Sequence, residues 1–152
     1  MARYVLLVGG SASPQEVLGV VANALGWGAP NIIQNKGAWG ISGELFEIWA
    51  APASDFDREL SREATGIVAN TDVSFWIGKG ADMARVYNGM AVASVAVADV
   101  FSCGVAMIAN GDTVLLVVNE GELRVNSSSG FVQYGVLSSF GRKPSICTLP
   151  SL

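Results

Sequence analysis

A run of β-forming residues, 4–8, stops at Gly9-Gly10, and three residues later Ser13-Pro14-Gln15-Glu16 opens a helix. No other junction constrains the fold so tightly. Ser13 can accept from the first free amides, Pro14 has the φ of a first helical residue and no N–H to leave unpaired, and Glu16 completes a capping box. Val17, Leu18, Val21, Ala24 and Leu25 follow on one helical face, and Gly26 suits the left-handed end of a helix. A strand that turns straight into an amphipathic helix has to share a core with it, which excludes all-α and all-β folds.

The remaining segments extend that pattern. Residues 31–35 and 44–50 read as strands joined by a glycine-bearing turn at Gly37, Gly40 and Gly43; in the second, Leu45, Glu47 and Trp49 alternate with Phe46 and Ile48. Ser54 with Asp57 starts a second helix, with Phe56, Leu60, Ala64 and Ile67 as its expected buried stripe and Gly66 near its end. Residues 73–77 read as a strand and 82–87 as a short helix with Met83, Val86 and Tyr87 inward. From 90 to 101 the small apolar residues fit a helix or a buried strand equally. Asn110-Gly111-Asp112 and Asn119-Glu120-Gly121 then separate three runs, 105–109, 113–118 and 122–125, as hairpins. After a short loop at 126–130, residues 131–137 would add another strand. The order β-α-β-β-α-β followed by a mostly antiparallel meander predicts one α+β domain over residues 1–152.

Hydrophobic residues make up 51% of the chain and charged residues 14%, against roughly 25% charged in an average domain. Such a chain folds, and it has few charges with which to cover its surface. A partner or a second copy of the chain is therefore expected. The first apolar run is too short for an export signal, and residues 86–109 carry Asp99 and two glycines, so neither secretion nor a membrane span is expected. With two cysteines, Cys103 and Cys147, read as reduced core residues, the expected compartment is the cytoplasm.

Histidine is absent, which removes the commonest general base, the usual hydrolase triads and most zinc sites. No cofactor is expected. Two local clusters could hold an anion. Gly9, Gly10, Ser11 and Ser13 precede a helix N-terminus, without the lysine of a P-loop or the spacing of a dinucleotide fingerprint. Lys79 and Arg85 stand on a strand-to-helix turn with Asp82. Both segments are also explained without a ligand, the first as a tight turn into a capped helix and the second as an Asp82 cap paired with Arg85.

Charge placement is more informative. Between 44 and 72 lie seven acids (Glu44, Glu47, Asp55, Asp57, Glu59, Glu63, Asp72) and two arginines; the rest of the chain carries six acids and seven bases. The net charge of −4 is therefore local. Asp55, Glu59 and Glu63 recur every four residues and line up along the second helix, an arrangement of like charges that works against the helix. Beside tryptophans such as Trp39 and Trp49, an acidic stripe suits a basic protein partner; it also suits a plain solvated face. The acidic balance argues against nucleic acid as a direct ligand.

Three function classes follow. The first is a small acidic domain that occludes a basic partner, as an immunity protein, antitoxin or phage-type inhibitor does, through Glu44, Glu47, Trp49, Asp55, Glu59 and Glu63. The second is an anion or small-ligand domain using the turn from Gly9 to Ser13. The third is a carboxylate enzyme with a hard metal ion on Glu44, Glu47 or Asp72. The first fits size, charge and missing catalytic groups best, and the balance is against an enzyme.

Overall fold

The computed structural model describes residues 2–28 and 31–151, leaving Met1, Ala29, Pro30 and Leu152 outside the description. Strand β1 (Ala2–Val8) runs into α1 (Pro14–Ala24) as the sequence predicts. The capping box is formed in both directions: the Glu16 amide donates to the Ser13 hydroxyl, and the Ser13 amide donates to the Glu16 carboxylate at 3.0 Å. After α1 come β2 (Ile33–Asn35), β3 (Ala38–Ser42), β4 (Phe46–Pro52), α2 (Asp55–Thr65), β5 (Thr71–Ile77) and the 19-residue α3 (Met83–Phe101). The chain continues through β6 (Val105–Ala109), β7 (Thr113–Asn119) and β8 (Glu122–Asn126) to a single helical turn α4 (Gly130–Gln133), a 3₁₀ turn (Leu137–Phe140) and β9 (Ser145–Cys147).

The strands form one nine-stranded sheet in the order β2-β3-β4-β5-β1-β6-β7-β8-β9, antiparallel throughout except for the β8–β9 pair. This is the α+β architecture read from the sequence, with four corrections. The glycine-bearing turn over Gly37, Gly40 and Gly43 holds a strand, β3, within which Gly40 is glycine because the Trp49 ring across the ladder occupies the place of its side chain. The short helix over 82–87 is the first third of α3, which takes in all of the ambiguous 90–101 segment. The strand expected over 131–137 is instead α4 and the start of the 3₁₀ turn, with Phe131 pressed edge-on to Tyr87. Finally, β9 pairs in parallel with β8, a partnership no local pattern announces.

Strand residues alternate between the two faces of the sheet. On one, Leu6, Val8, Phe46, Ile48, Val73, Phe75 and Met107 lie under α1 and α3 in the main core with Leu18, Val21 and Met90. Phe46 and Phe75 meet edge to face at 5.4 Å between ring centres. The other face is covered unevenly. At β6 and β7, Ile67 and Leu149 close over Ala106, Val114 and Val117. At β1 and β6, Ala53 and Ala69 pack with Val5, Leu7 and Ile108, and α2 lies alongside with a groove between it and β1.

Candidate protein-binding face

Helix α2 is built as the sequence implies at its ends: the Ser54 hydroxyl accepts from the Asp57 amide at 3.0 Å, and Gly66 closes the helix at φ 75°. Its rotation differs from expectation. Phe56, expected inward, is 73% exposed, while Ser61 is fully buried and Asp57, Leu60 and Ala64 turn toward the sheet. Two polar anchors set this rotation. The Ser61 hydroxyl donates to the Ile67 carbonyl at 2.6 Å, and the Arg58 guanidinium donates to the Ala69 carbonyl and the Asn70 side chain at 3.2 Å. Asp55, Glu59 and Glu63 consequently occupy the outer side of α2, exposed to solvent, with the Phe56 ring along their edge. Glu59 is paired with Arg62, and that bond holds its carboxyl below the ordinary glutamate range.

The uncovered part of the sheet beside α2 carries a second set of groups. Register places Glu47 opposite Trp76, Trp76 opposite Arg3, and Trp49 opposite Ser74, all on this one face. The Trp49 indole N–H donates to Glu47 at 2.8 Å. Arg3 lies 5.3 Å from the centre of the Trp76 ring and donates to the Ser74 hydroxyl at 3.1 and 3.3 Å. Two tryptophans and an arginine on one open surface have the composition of a binding hot spot. The sequence marks Glu47 and Trp49 as binding residues; it marks neither Trp76 nor Arg3, and it places Phe56 in the core, where the structure puts it 73% exposed. Asp72, Ser74 and Trp76 alternate with Val73, Phe75 and Ile77, and that two-residue period was the available signal for Trp76.

Between α2 and β1 runs a groove of about 450 Å³. Val5, Leu7 and Ile108 form its floor, Phe56 and Leu60 one wall, with Asp57 and Arg3 at its polar ends. Behind Asp57 stands Asp72, whose Oδ1 is buried without a hydrogen-bond partner. Burial and the neighbouring Asp57 carboxyl push the Asp72 pKa up to about 8, Arg3 acting in the opposite direction. Asp72 therefore retains its proton at neutral pH.

The other predicted residues fall elsewhere. Glu44 is held by both guanidinium nitrogens of Arg85, at 3.0 and 3.2 Å, at the far end of the sheet from the α2 connections; the bond lowers the Glu44 pKa. Asp82 caps α3 through the Ala84 and Arg85 amides, so the expected Asp82–Arg85 pair is replaced by Glu44–Arg85. Trp39, expected to be exposed, lies opposite Ala50 on the helix-covered face and packs against the main core. Gly9, Gly10, Ser11 and Ser13 sit at the opposite end of β1 from Lys79 and Arg85, so the two anion clusters do not meet. The Gly9 amide donates to the Gly104 carbonyl at 2.9 Å, and Ser13 is engaged with Glu16. Gly10 itself is at φ 79°, where a side chain would be strained. Among the described residues no group of three or more cysteine, aspartate or glutamate side chains could hold a metal ion, and Glu44, Glu47 and Asp72 are separate. Likewise, no described helix is long and apolar enough to cross a membrane.

No curated protein and no solved structure matches this chain. The SitI3-like family matches it over residues 2–133, a span that runs from β1 to α4 and includes α2 and the open face. SitI-type proteins are immunity or inhibitor proteins. The chain belongs to the SitI3-like family.

Proposed function

We propose that this chain is an immunity-type protein that neutralises a basic protein partner by occlusion, presenting to it the acidic outer side of α2 and the open sheet face alongside. Phe56 carries this reading. An aromatic ring held 73% exposed beside a line of carboxylates, on a helix whose rotation is fixed by polar anchors, serves no core. It matches the pattern of an interface, in which an aromatic anchor is ringed by charges that steer a partner of opposite sign. Glu47, Trp49, Trp76 and Arg3 extend the surface onto the sheet. Glu44, bound to Arg85 at the end of the sheet, lies outside it. Family membership supports the immunity class, and the acidic surface supports a basic partner, whether toxin or other effector, in place of nucleic acid.

The test is capture of the partner from host lysate with wild-type protein and with the double charge reversal Glu59→Lys/Glu63→Lys, at low and at high salt. One basic protein is retained in stoichiometric amount by the wild type, weakens as salt rises, and is lost with the reversal. A partner retained equally by the reversed protein would contradict the proposal. Circular dichroism of the reversed protein shows that its fold is intact.

A further inference from the structure

We propose that the groove between α2 and β1 is the seat of one basic side chain of the partner, a lysine or arginine whose stem lies on Val5, Leu7 and Leu60 and whose head group reaches Asp57. This rests on the reading of the partner as a basic protein and adds to it the anchor. The floor and outer wall are apolar, and the end nearest the α2 N-terminus is a carboxyl pair, Asp57 backed by Asp72 with its buried, unpartnered oxygen. A purely apolar occupant would leave that pair unsatisfied, and an anion would be repelled by it. A long side chain with an aliphatic stem and a cationic head meets both requirements. Arg3, the cation already lining the groove, does not fill this role: its guanidinium is stacked on Trp76 and bonded to Ser74. The exposed Phe56 ring at the wall offers the incoming cation a further favourable contact.

Arrival of a cation makes the carboxyl pair release the proton it holds. The charged groups facing that pair are the two carboxyls themselves, from α2 and β5, and Arg3 from β1; Arg58 is turned away toward Ala69 and Asn70, and β4 places the uncharged Ala51 opposite Asp72. Affinity for a cation in the groove therefore rises with pH up to about 8 and then levels off.

The experiment uses the full chain, labelled at its methyl groups, titrated with n-butylguanidinium and, as a control, pentanoate. Butylguanidinium shifts the methyl resonances of Val5, Leu7, Leu60 and Ile108 in a saturable way and pentanoate does not. Asp57→Asn weakens the effect by about tenfold or more, the loss expected when a charge-assisted bond is removed. Filling the groove with Leu60→Trp abolishes it, which keeps the test open should Asp57→Asn fold poorly. Apparent affinity climbs by up to about tenfold per pH unit between pH 6 and 8. Shifts spread over α1 and α3, equal binding of pentanoate, or a pH-independent response would overturn the assignment. The Glu59→Lys/Glu63→Lys protein, which breaks the stripe, leaves butylguanidinium binding within about threefold of wild type. Failure of the groove is thus separate from failure of the basic-partner reading.

Discussion

The two faces of the sheet are made from the same strands by opposite means. Under α1 and α3, alternate strand residues such as Leu6, Val8, Phe46, Ile48, Val73 and Phe75 are apolar and buried, with aromatic rings meeting edge to face. Across β4, β5 and β1 the alternate residues are Glu47, Trp49, Asp72, Ser74, Trp76 and Arg3; Glu47, Trp49, Ser74 and Arg3 are joined by side-chain hydrogen bonds, Arg3 is stacked on Trp76, and α2 lies beside them across a groove. The first face carries stability. On the second, hydrogen bonds among Glu47, Trp49, Arg3 and Ser74 hold half-buried aromatic surface at the solvent boundary, and the buried Asp72 Oδ1 is left without a partner.

Substitution should separate the two. Phe75→Ala, deep under the helices, costs about 3–5 kcal/mol in chemical denaturation and lowers the melting temperature by roughly 10 °C. A loss below about 1 kcal/mol would show that this face is not the stabilising one. Asp72→Asn on the open face acts in the other direction and depends on pH. Its folded pKa lies above the unfolded value, so the native state holds a proton that the unfolded chain gives up, and the wild-type protein loses stability as pH rises from about 4 to about 8. The asparagine variant is free of that loss. After allowance for solvent access it is about 1–2 kcal/mol more stable than wild type at pH 8 and equal to it near pH 4. An unchanged pH profile would remove the carboxyl pair from the account. Ser54→Ala, which deletes the α2 cap, costs about 1 kcal/mol, and hydrogen exchange should place the loss within α2 while leaving α1 and α3 unaltered. Smallest of all is Phe56→Ala: stability stays within about 0.5 kcal/mol while partner binding falls sharply. A core-sized loss at Phe56 would mean that the ring is structural.

How far the sequence discloses each face follows from what local patterns can encode. The strand-to-helix junction at Gly9 to Glu16, the Ser54 cap and both hairpins were legible because a single residue type satisfies a single backbone requirement. The 90–101 helix was not, since small apolar residues serve either period, and only packing of α3 on α1 decides between them. Gly40 reads as a turn because its reason for being glycine, the Trp49 ring, lies nine residues away. For the surface, the acidic spacing at Asp55, Glu59 and Glu63 was readable from helix geometry alone. Phe56 was placed on the wrong side because apolar spacing predicts an apolar inner face, whereas here Ser61 and Arg58 set the rotation through bonds to the segment after the helix. The groove, and the meeting of Asp57 with Asp72, depend on a helix folding back over a neighbouring strand, which no local spacing reports.

The most direct test of the whole reading is hydrogen–deuterium exchange of the chain alone and with its captured partner bound. Slowed exchange in α2 and along β4 and β5, with α1 and α3 unchanged, is the predicted footprint. Protection confined to the α1–α3 side, with α2 exchanging as in the free protein, would place the partner on the wrong face and contradict the account.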